Sequence, residues 1–382
     1  MKKRRPTNNL VLVTGGAGFI GTNVVNNLIR HGYRVRVMDL LIPPTHNGKL
    51  PAWFNKKADF IKGDVRKRAD WERALRGASY VIHLAVYADV HPEYSVFIDT
   101  NVKSVASVYE IIEEKQLPIK KILIASSQSV YGEGHFRCPK HGVFLTKPRD
   151  INDLERGRWE VFCPRDGKVA KPVAEHENDA LDPMTLYGVT KLAVEKTALL
   201  LGRTLGIPTV IFRYSIVHGP YQSFRNFYSG ALRAFSVQGL AGVKIETQED
   251  GGQLRDFVHV EDVAEAHRIV LRNPKADFQV FNVGSGRVTR VRELAQTVAK
   301  VAKSTYPPVS KGAFRLMTPR HSIMDVSKLK KLGWRPKHTL YDNVSDYISW
   351  VRGFPEAFRH MRSAYKKMAK AGYLMKAKTK CK

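Results

Sequence analysis

The 382-residue sequence contains little cysteine and no long apolar run. Its three cysteines, Cys138, Cys163 and Cys381, are too few for a disulfide framework, which is typical of a reducing compartment. No uncharged apolar run reaches the roughly 18 residues of a membrane span, and the basic first residues lead into a short strand instead of a secretory signal. We therefore expect a cytoplasmic protein, and its 43% apolar fraction is enough for a folded core.

Acidic residues are also scarce: 35 Asp and Glu stand against 63 Lys and Arg, which leaves a net charge of +28. Such an excess attracts nucleic acid, acidic lipid or small diphosphates alike, so composition does not choose among them. Because the sequence shows neither a nucleic-acid recognition fold nor an aromatic platform, we expect no specific nucleic-acid partner.

The tail, residues 352–382, combines basic charge with an apolar stripe. Phe354, Phe358, Met361, Tyr365 and Met368 recur at helical spacing, which predicts a basic amphipathic helix. A helix of this kind can lie on an anionic membrane, but such stripes more often pack on their own domain or on a second subunit. Both interpretations remain open.

Apolar runs alternate with helix-period segments, which predicts an α/β fold with a Rossmann-type, doubly wound parallel sheet. Strands are expected near 9–14, 34–38, 58–62, 79–84, 120–125, 207–213 and 279–283, and helices near 93–116, 183–204, 260–272 and 290–302. Residues 133–181 lack periodicity, are polar and are rich in Pro and Gly. They are too long for an ordinary connection, so we expect a functional insertion there.

A glycine-rich turn follows the first predicted strand. Gly15, Gly18 and Gly21 stand where a tight turn, a close approach to pyrophosphate and tight helix packing exclude side chains. Asp39 ends the second strand, where a carboxylate can bind both adenosine ribose hydroxyls and repel a 2′-phosphate, which favours NAD over NADP. Asp64 is a candidate contact for adenine. The alternative is an ordinary turn with solvated acids.

A second set of residues indicates proton transfer. On a helix, Tyr187 and Lys191 share a face, and a nearby cation lowers the pKa of a phenol so that it can act as an acid or base. Ser127 follows a predicted strand at the edge where parallel sheets bind ligands. Without the serine, a tyrosine and a lysine at this spacing would more often be structural, with the tyrosine ring packed in the core and the lysine exposed beside it.

These motifs together resemble the extended short-chain dehydrogenase/reductases that modify nucleotide sugars. The matching segments are 14–21 (TGGAGFIG), 83–85 (HLA), 126–132 (SSQSVYG), 187–191 (YGVTK) and 255–262 (RDFVHVED). The resemblance implies an NAD-binding Rossmann domain over residues 1–214 and a mainly sugar-nucleotide-binding part over residues 215–351. Within the second part, residues from about 255 to 285 are expected to return to the first domain. The resemblance also implies a homodimer. It makes Ser127, Tyr187 and Lys191 catalytic, and adds Phe19, Ile20, Val65, Leu84, Ala85 and Asn101 to the NAD contacts.

Within this family the resemblance favours a 4-epimerase. Dehydratases carry Asp and Glu after the serine position, whereas Gln128 and Ser129 stand here and neither exchanges protons near neutral pH. The insertion and neighbouring motifs look most like dTDP-L-rhamnose 4-epimerase-type members, which would make dTDP-6-deoxy-L-talose the product. The alternatives are a UDP-glucose or UDP-N-acetylglucosamine 4-epimerase, a net oxidoreductase, and a non-catalytic dinucleotide-binding protein.

Several positions bear on the substrate, and Gln128 is one candidate for contacting it. Arg255 resembles the family's phosphate-binding arginine and Arg320 is a second candidate, although either could belong to an ion pair. Val86, Ile216 and Met317 depart from the family pattern around the sugar nucleotide.

The insertion contains two copies of a Cys-Pro-basic-x-Gly sequence, at residues 138–142 and 163–167. Together they offer Cys138, His141, Cys163 and Asp166, enough ligands for a tetrahedral structural zinc site. A degenerate loop without metal is the other interpretation, since aspartate is an uncommon fourth ligand.

Overall fold

The computed structural model describes residues 9–43, 45–88, 93–225, 230–357 and 375–377. Within these residues a parallel sheet of seven strands has the order β7-β6-β5-β4-β1-β2-β3, which is the doubly wound arrangement expected from the sequence. The strands are β1 (Leu10–Thr14), β2 (Arg34–Asp39), β3 (Asp59–Lys62), β4 (Tyr80–His83), β5 (Lys121–Ser127), β6 (Thr209–Tyr214) and β7 (Gln279–Val283).

Helices cover both faces of this sheet, which is why its strands read as continuous apolar runs. In β1, Val11 and Val13 pack toward one face with Val24 of the first helix, whereas Leu12 packs toward the other with Trp71. The helices are α1 (Phe19–Arg30), α2 (Arg68–Leu75), α3 (Tyr94–Phe97), α4 (Ser104–Glu114), α5 (Ile151–Glu155), α6 (Leu186–Thr204), α7 (Ala231–Leu240), α8 (Val260–Leu271), α9 (Val291–Ala302), α10 (Ser327–Lys330) and α11 (Leu340–Val351).

The smaller C-terminal part has its own core between α7, α9 and α11, which includes Phe235, Leu294 and Tyr347. The chain between Phe257 and Val283 returns to the main sheet, since α8 packs on α1 and β7 pairs with β6. The short strands outside the main sheet and the insertion are Ile216–His218, Glu246–Thr247, Leu254–Arg255, Phe257–His259, Thr289–Arg290, Val309–Ser310, Ala313–Phe314 and Met375–Lys376.

The insertion is more ordered than its sequence predicts. His135–Cys138 pairs antiparallel with both Gly142–Leu145 and Lys171–Pro172. In the chain, α5 follows Gly142–Leu145. Strands of two to four residues carry too few alternating positions to give a periodic signal, so the sequence pattern alone indicates a loop.

The described part of the tail packs on the protein itself. Phe354 contacts the rings of Trp350 and Phe224, and Met375 joins an apolar cluster with Trp159 of the insertion. The other stripe residues, Phe358, Met361, Tyr365 and Met368, lie outside the described residues. Among the helices that are described, none has both the length and the apolar character needed to span a bilayer.

Candidate active site

The turn between β1 and α1 leaves no room for side chains at two glycines. Gly15 has a φ of +67°, and a Cβ there would lie 2.8 Å from the amide nitrogen of Ala85. A Cβ on Gly21 would lie 2.1 Å from the carbonyl oxygen of Gly15. Gly18 caps α1 without a side-chain hydrogen bond, so the first amides of this helix point at the turn. This geometry fits an anion, such as a pyrophosphate, beside the bare backbone.

Asp39 lies at the carboxyl end of β2, next to the glycine turn. One of its carboxylate oxygens accepts a hydrogen bond from the amide of Ala17 at 3.1 Å and the other accepts from the amide of Leu41 at 2.9 Å. These bonds hold a negative charge where a ribose hydroxyl can approach it.

One cavity of about 790 Å³ brings most of the predicted dinucleotide site together. Predicted residues that line it are Gly15, Gly18, Phe19, Ile20, Gly21, Asp39, Asp64, Val65, Leu84, Ala85, Tyr187 and Lys191. Sequence reasoning missed other lining residues, which include Ile42, His46, Arg66, Tyr87, Tyr214 and Gln222. Several of these follow β2, β3 or β4, and that position at the carboxyl edge of a parallel sheet is the signal that could have identified them.

Two predicted contacts have partners of their own. The carboxylate of Asp64 accepts hydrogen bonds from the guanidinium of Arg66, at 3.0 Å from Nε and 2.6 Å from the terminal nitrogen, so adenine would have to approach beside this pair. Asn101 is buried in a π-helical segment, Ile98–Lys103, between α3 and α4. Its amide bonds the backbone of Tyr87 and the hydroxyl of Thr190, which ties α6 to the segment after β4.

Lys191 lies in the buried centre of the site. Its ammonium donates to the carbonyl oxygen of Ala125 on β5 at 2.8 Å and lies 5.8 Å from the ring centre of Tyr187. Burial lowers the pKa of Lys191 to about 8, against an opposing effect of the Glu195 carboxylate. Burial, with a contribution from neighbouring Tyr187, raises the pKa of Tyr214, so that second phenol stays protonated.

Ser127 ends β5, two residues beyond the carbonyl that binds Lys191. Its hydroxyl accepts a hydrogen bond from the amide of Ser129 at 3.1 Å and contacts the Ser129 hydroxyl at the same distance. The start of α6 packs against this turn so closely that a Cβ on Gly188 would lie 2.7 Å from the Ser129 carbonyl oxygen. The turn that carries Ser127 and the helix that carries Tyr187 are therefore in direct contact.

The predicted substrate contacts have a different geometry. Gln128 accepts a hydrogen bond from the hydroxyl of Ser322 at 2.9 Å. The guanidinium of Arg255 donates to the backbone carbonyls of Leu254, Arg320 and Pro319 at 2.7–2.8 Å, and burial lowers its pKa to about 10. These contacts join the strand Leu254–Arg255 to the segment at Pro319 and Arg320, and they offer no geometric support for a phosphate contact.

Arg320 is almost completely buried among carboxylates. Its guanidinium donates to Glu160 of the insertion, to Glu249 and to Asp250, with shortest distances of 2.6, 2.6 and 2.8 Å. The expected phosphate contact is therefore replaced in this structure by a buried ion-pair network, closer to the alternative that the sequence left open. Phosphate binding by either arginine stays a prediction.

The structure also brings the four predicted metal ligands of the insertion together. The ligand atoms of Cys138, His141, Cys163 and Asp166 all lie within 4.8 Å of one another, although these residues span the insertion.

Comparison with known proteins agrees with this architecture. Residues 11–152 and 166–284 match the model of the NAD dependent epimerase/dehydratase family. The chain belongs to this family. A dTDP-L-rhamnose 4-epimerase from Burkholderia thailandensis is 31% identical over 348 residues, which cover 89% of this chain and 94% of that protein. The expected family and fold class are thereby confirmed.

Solved structures of other members have the same fold. The UDP-glucose 4-epimerase of Thermotoga maritima, solved with UDP-glucose, has a TM-score of 0.72 at 29% identity and covers 90% of this chain and 99% of its own. The Thermus thermophilus UDP-glucose 4-epimerase, solved with NAD, has a TM-score of 0.69 at 27% identity with the same coverage.

Proposed function

We propose that this member of the family is an NAD-dependent nucleotide-sugar 4-epimerase that inverts C4 through a transient 4-keto sugar. The observation that carries the proposal is the position of Lys191, whose buried ammonium lies one helical turn from Tyr187 at the wall of the dinucleotide-sized cavity.

The residues present fit NAD. The bare backbone at Gly15 and Gly21 leaves space for a pyrophosphate, and the carboxylate of Asp39 lies where it can accept hydrogen bonds from ribose hydroxyls. Once bound, NAD supplies an acceptor and donor of hydride for C4 of the sugar. A cofactor that is regenerated in each turnover needs no second substrate.

The chain's own residues would move the proton. Tyr187 as phenolate takes the proton of the sugar 4-hydroxyl and later returns it, and the ammonium of Lys191 stabilises the phenolate. The hydroxyl of Ser127 hydrogen-bonds the same oxygen and stabilises the forming ketone. Gln128 and Ser129 offer no ionisable group for water loss, which favours epimerisation over dehydration.

For the substrate we propose dTDP-L-rhamnose, with dTDP-6-deoxy-L-talose as product. The proposal is supported by the relative from Burkholderia thailandensis, which bears that activity in its name and matches almost the whole chain. UDP-glucose is the second candidate, because the Thermotoga maritima relative in complex with UDP-glucose shares 29% of its sequence. A homodimer and a cytoplasmic location stay predictions from the sequence and its resemblance.

The test is incubation of the protein with dTDP-, UDP- and GDP-sugars, with the configuration at C4 determined by NMR. We expect inversion without added NAD for one of them. Tyr187→Phe should lower kcat by about 10²–10⁴ with little change in KM, since it removes the proton-transfer group. Tyr341→Phe, an exposed tyrosine on α11, is the matched control and should leave kcat unchanged.

The competing functions give different results. Stoichiometric formation of reduced cofactor and a keto product would identify a net oxidoreductase. Bound dinucleotide with no turnover of any sugar would identify a binding protein instead.

A further inference from the structure

The two Cys-Pro-basic-x-Gly segments of the insertion form a pair of similar turns. In the first, Cys138 ends one strand and lies opposite Gly142, which begins the next. In the second, the amide of Cys163 donates to the carbonyl of Lys168 at 2.8 Å, and that of Gly167 donates back to Cys163 at 2.9 Å. Gly142 and Gly167 have φ values of +79° and +68°, which let the chain reverse directly after the second ligand of each turn.

Four of the six separations among the candidate ligand atoms are close to those that a tetrahedral ion requires. Nδ1 of His141 is 3.5 Å from Sγ of Cys138 and 3.3 Å from Sγ of Cys163. Oδ2 of Asp166 is 3.7 Å from Sγ of Cys138 and 3.7 Å from Nδ1 of His141. Metal–ligand bonds of about 2.0–2.3 Å at tetrahedral angles place neighbouring ligands about 3.3–3.8 Å apart. The observed distances fall at or close to this range.

The donor types select the metal. Two thiol sulfurs and an imidazole nitrogen suit zinc, whereas calcium and magnesium prefer sites made of oxygen. Cys138 and Cys163 are buried and are not joined in a disulfide, so both sulfurs are available as ligands. Two thiolates and a carboxylate would leave one negative charge on a zinc complex, and each turn supplies a basic residue, Lys140 or Arg165.

The apolar core that lies within the insertion itself is small. Its apolar core consists of Phe136, Val161 and Ala170, with Phe144 packed against them. A core of this size supplies little stability, and small folded units commonly gain what they lack from a metal ion. The second turn follows directly on Glu160, the insertion's partner for buried Arg320, so the same ion would fix this residue beside the smaller part.

We propose that the insertion binds one structural zinc ion through Cys138, His141, Cys163 and Asp166. The site is separate from the dinucleotide cavity, and the proposal does not depend on the reaction that the protein catalyses. With four protein ligands the coordination is closed, which is typical of zinc that stabilises a fold and not of zinc that activates water.

The test is metal analysis of the full-length protein, produced with zinc in the medium and purified without chelators. We expect about one zinc per chain, bound by these four residues. Cys163→Ser should lose most of this zinc, whereas Cys381→Ser, which removes the third cysteine, should retain it. Zinc-free wild-type protein, a disulfide between Cys138 and Cys163 in freshly purified protein, or equal zinc in Cys163→Ser and wild type would overturn the proposal.

Two further measurements separate loss of a ligand from loss of the fold. Asp166→Cys keeps four ligands and replaces oxygen by thiolate, so its zinc should resist a competing chelator better than wild-type zinc does. Replacement of zinc by cobalt should give the visible absorption of a tetrahedral, thiolate-bound ion in wild-type protein. An octahedral cobalt spectrum, or weaker zinc retention in Asp166→Cys than in wild type, would contradict the assigned ligands.

Discussion

Arg213 and Glu195 form a buried, bidentate ion pair, with distances of 2.9 and 2.7 Å, between β6 and the helix that carries Tyr187 and Lys191. Glu195 also accepts a hydrogen bond from the hydroxyl of Ser126 on β5. The pair therefore fixes α6 against β5 and β6, next to the candidate active site. Because Arg213 is buried, water has little access to take the place of Glu195 as its partner.

We expect Glu195→Gln to destabilise the protein by about 3–5 kcal/mol, because it leaves the charge of Arg213 buried and uncompensated. Urea unfolding measures this change. Glu110→Gln on α4 is the matched control, since Glu110 is exposed and surface changes of this kind usually stay within about 0.5 kcal/mol. Equal unfolding free energies for the two variants would show that the ion pair contributes no net stability.

The glycine turn allows a test of cofactor binding that does not depend on the substrate. In Gly21→Ala the new Cβ meets the Gly15 carbonyl oxygen at 2.1 Å, so the turn must open before it can bind pyrophosphate. We expect NAD affinity, measured by calorimetry, to fall by at least about tenfold, the equivalent of 1.4 kcal/mol. Gly32→Ala is the control. Gly32 has a φ of +80°, but beyond its chain neighbours no atom lies within 4 Å of the added carbon, so strain without collision should leave NAD affinity unchanged.

Sequence reasoning predicted the features that depend on local pattern. The seven strands, the glycine turn and the place of Asp39 follow from apolar runs and from residues that end them. The helix expected near 93–116 is interrupted by the π-helical segment Ile98–Lys103, in which the buried side chain of Asn101 binds the segment after β4. Apolar periodicity carries no information about such a change in helix type.

Local sequence pattern does not reveal contacts between residues far apart in the chain. In sequence, Arg320 resembles a phosphate-binding arginine. Its carboxylate partners Glu160, Glu249 and Asp250 lie 70 to 160 residues away in the chain, so no local sequence pattern predicts these contacts. The candidate ligands of the insertion could be predicted from the sequence for the opposite reason. Each turn carries the same short sequence pattern, which predicts its local geometry. Only the fold shows that the two turns lie next to each other.

Asp39 should decide between NAD and NADP. Its carboxylate is fixed by the amides of Ala17 and Leu41, and a 2′-phosphate at the ribose would meet this negative charge. We expect Asp39→Ala to lower the preference for NAD over NADP, expressed as the ratio of their dissociation constants, by about tenfold or more. Asp59→Ala, an exposed acid at the start of β3, should not alter this ratio. An unchanged ratio in Asp39→Ala would mean that other residues reject the phosphate.

The buried ammonium of Lys191 predicts an alkaline loss of activity. Burial lowers the pKa of this lysine to about 8, so its charge disappears as the pH rises through that value and no longer stabilises a phenolate at Tyr187. We expect kcat/KM for the sugar that the protein epimerises to fall above about pH 8. Lys196→Gln, an exposed lysine on the same helix, should give the wild-type profile. A rate that still rises at pH 10 would contradict this role.

The same shift predicts how stability depends on pH, with no reference to turnover. Between about pH 8 and the ordinary lysine value of 10.5, the unfolded chain keeps the proton on Lys191 and the folded protein loses it. Because the unfolded state then binds more protons, the contribution of Lys191 to the unfolding free energy should rise with pH across this window. In Lys191→Met that contribution should vanish. Urea unfolding of both proteins from pH 7 to 10 measures the difference, and parallel curves would show that Lys191 titrates normally in the fold.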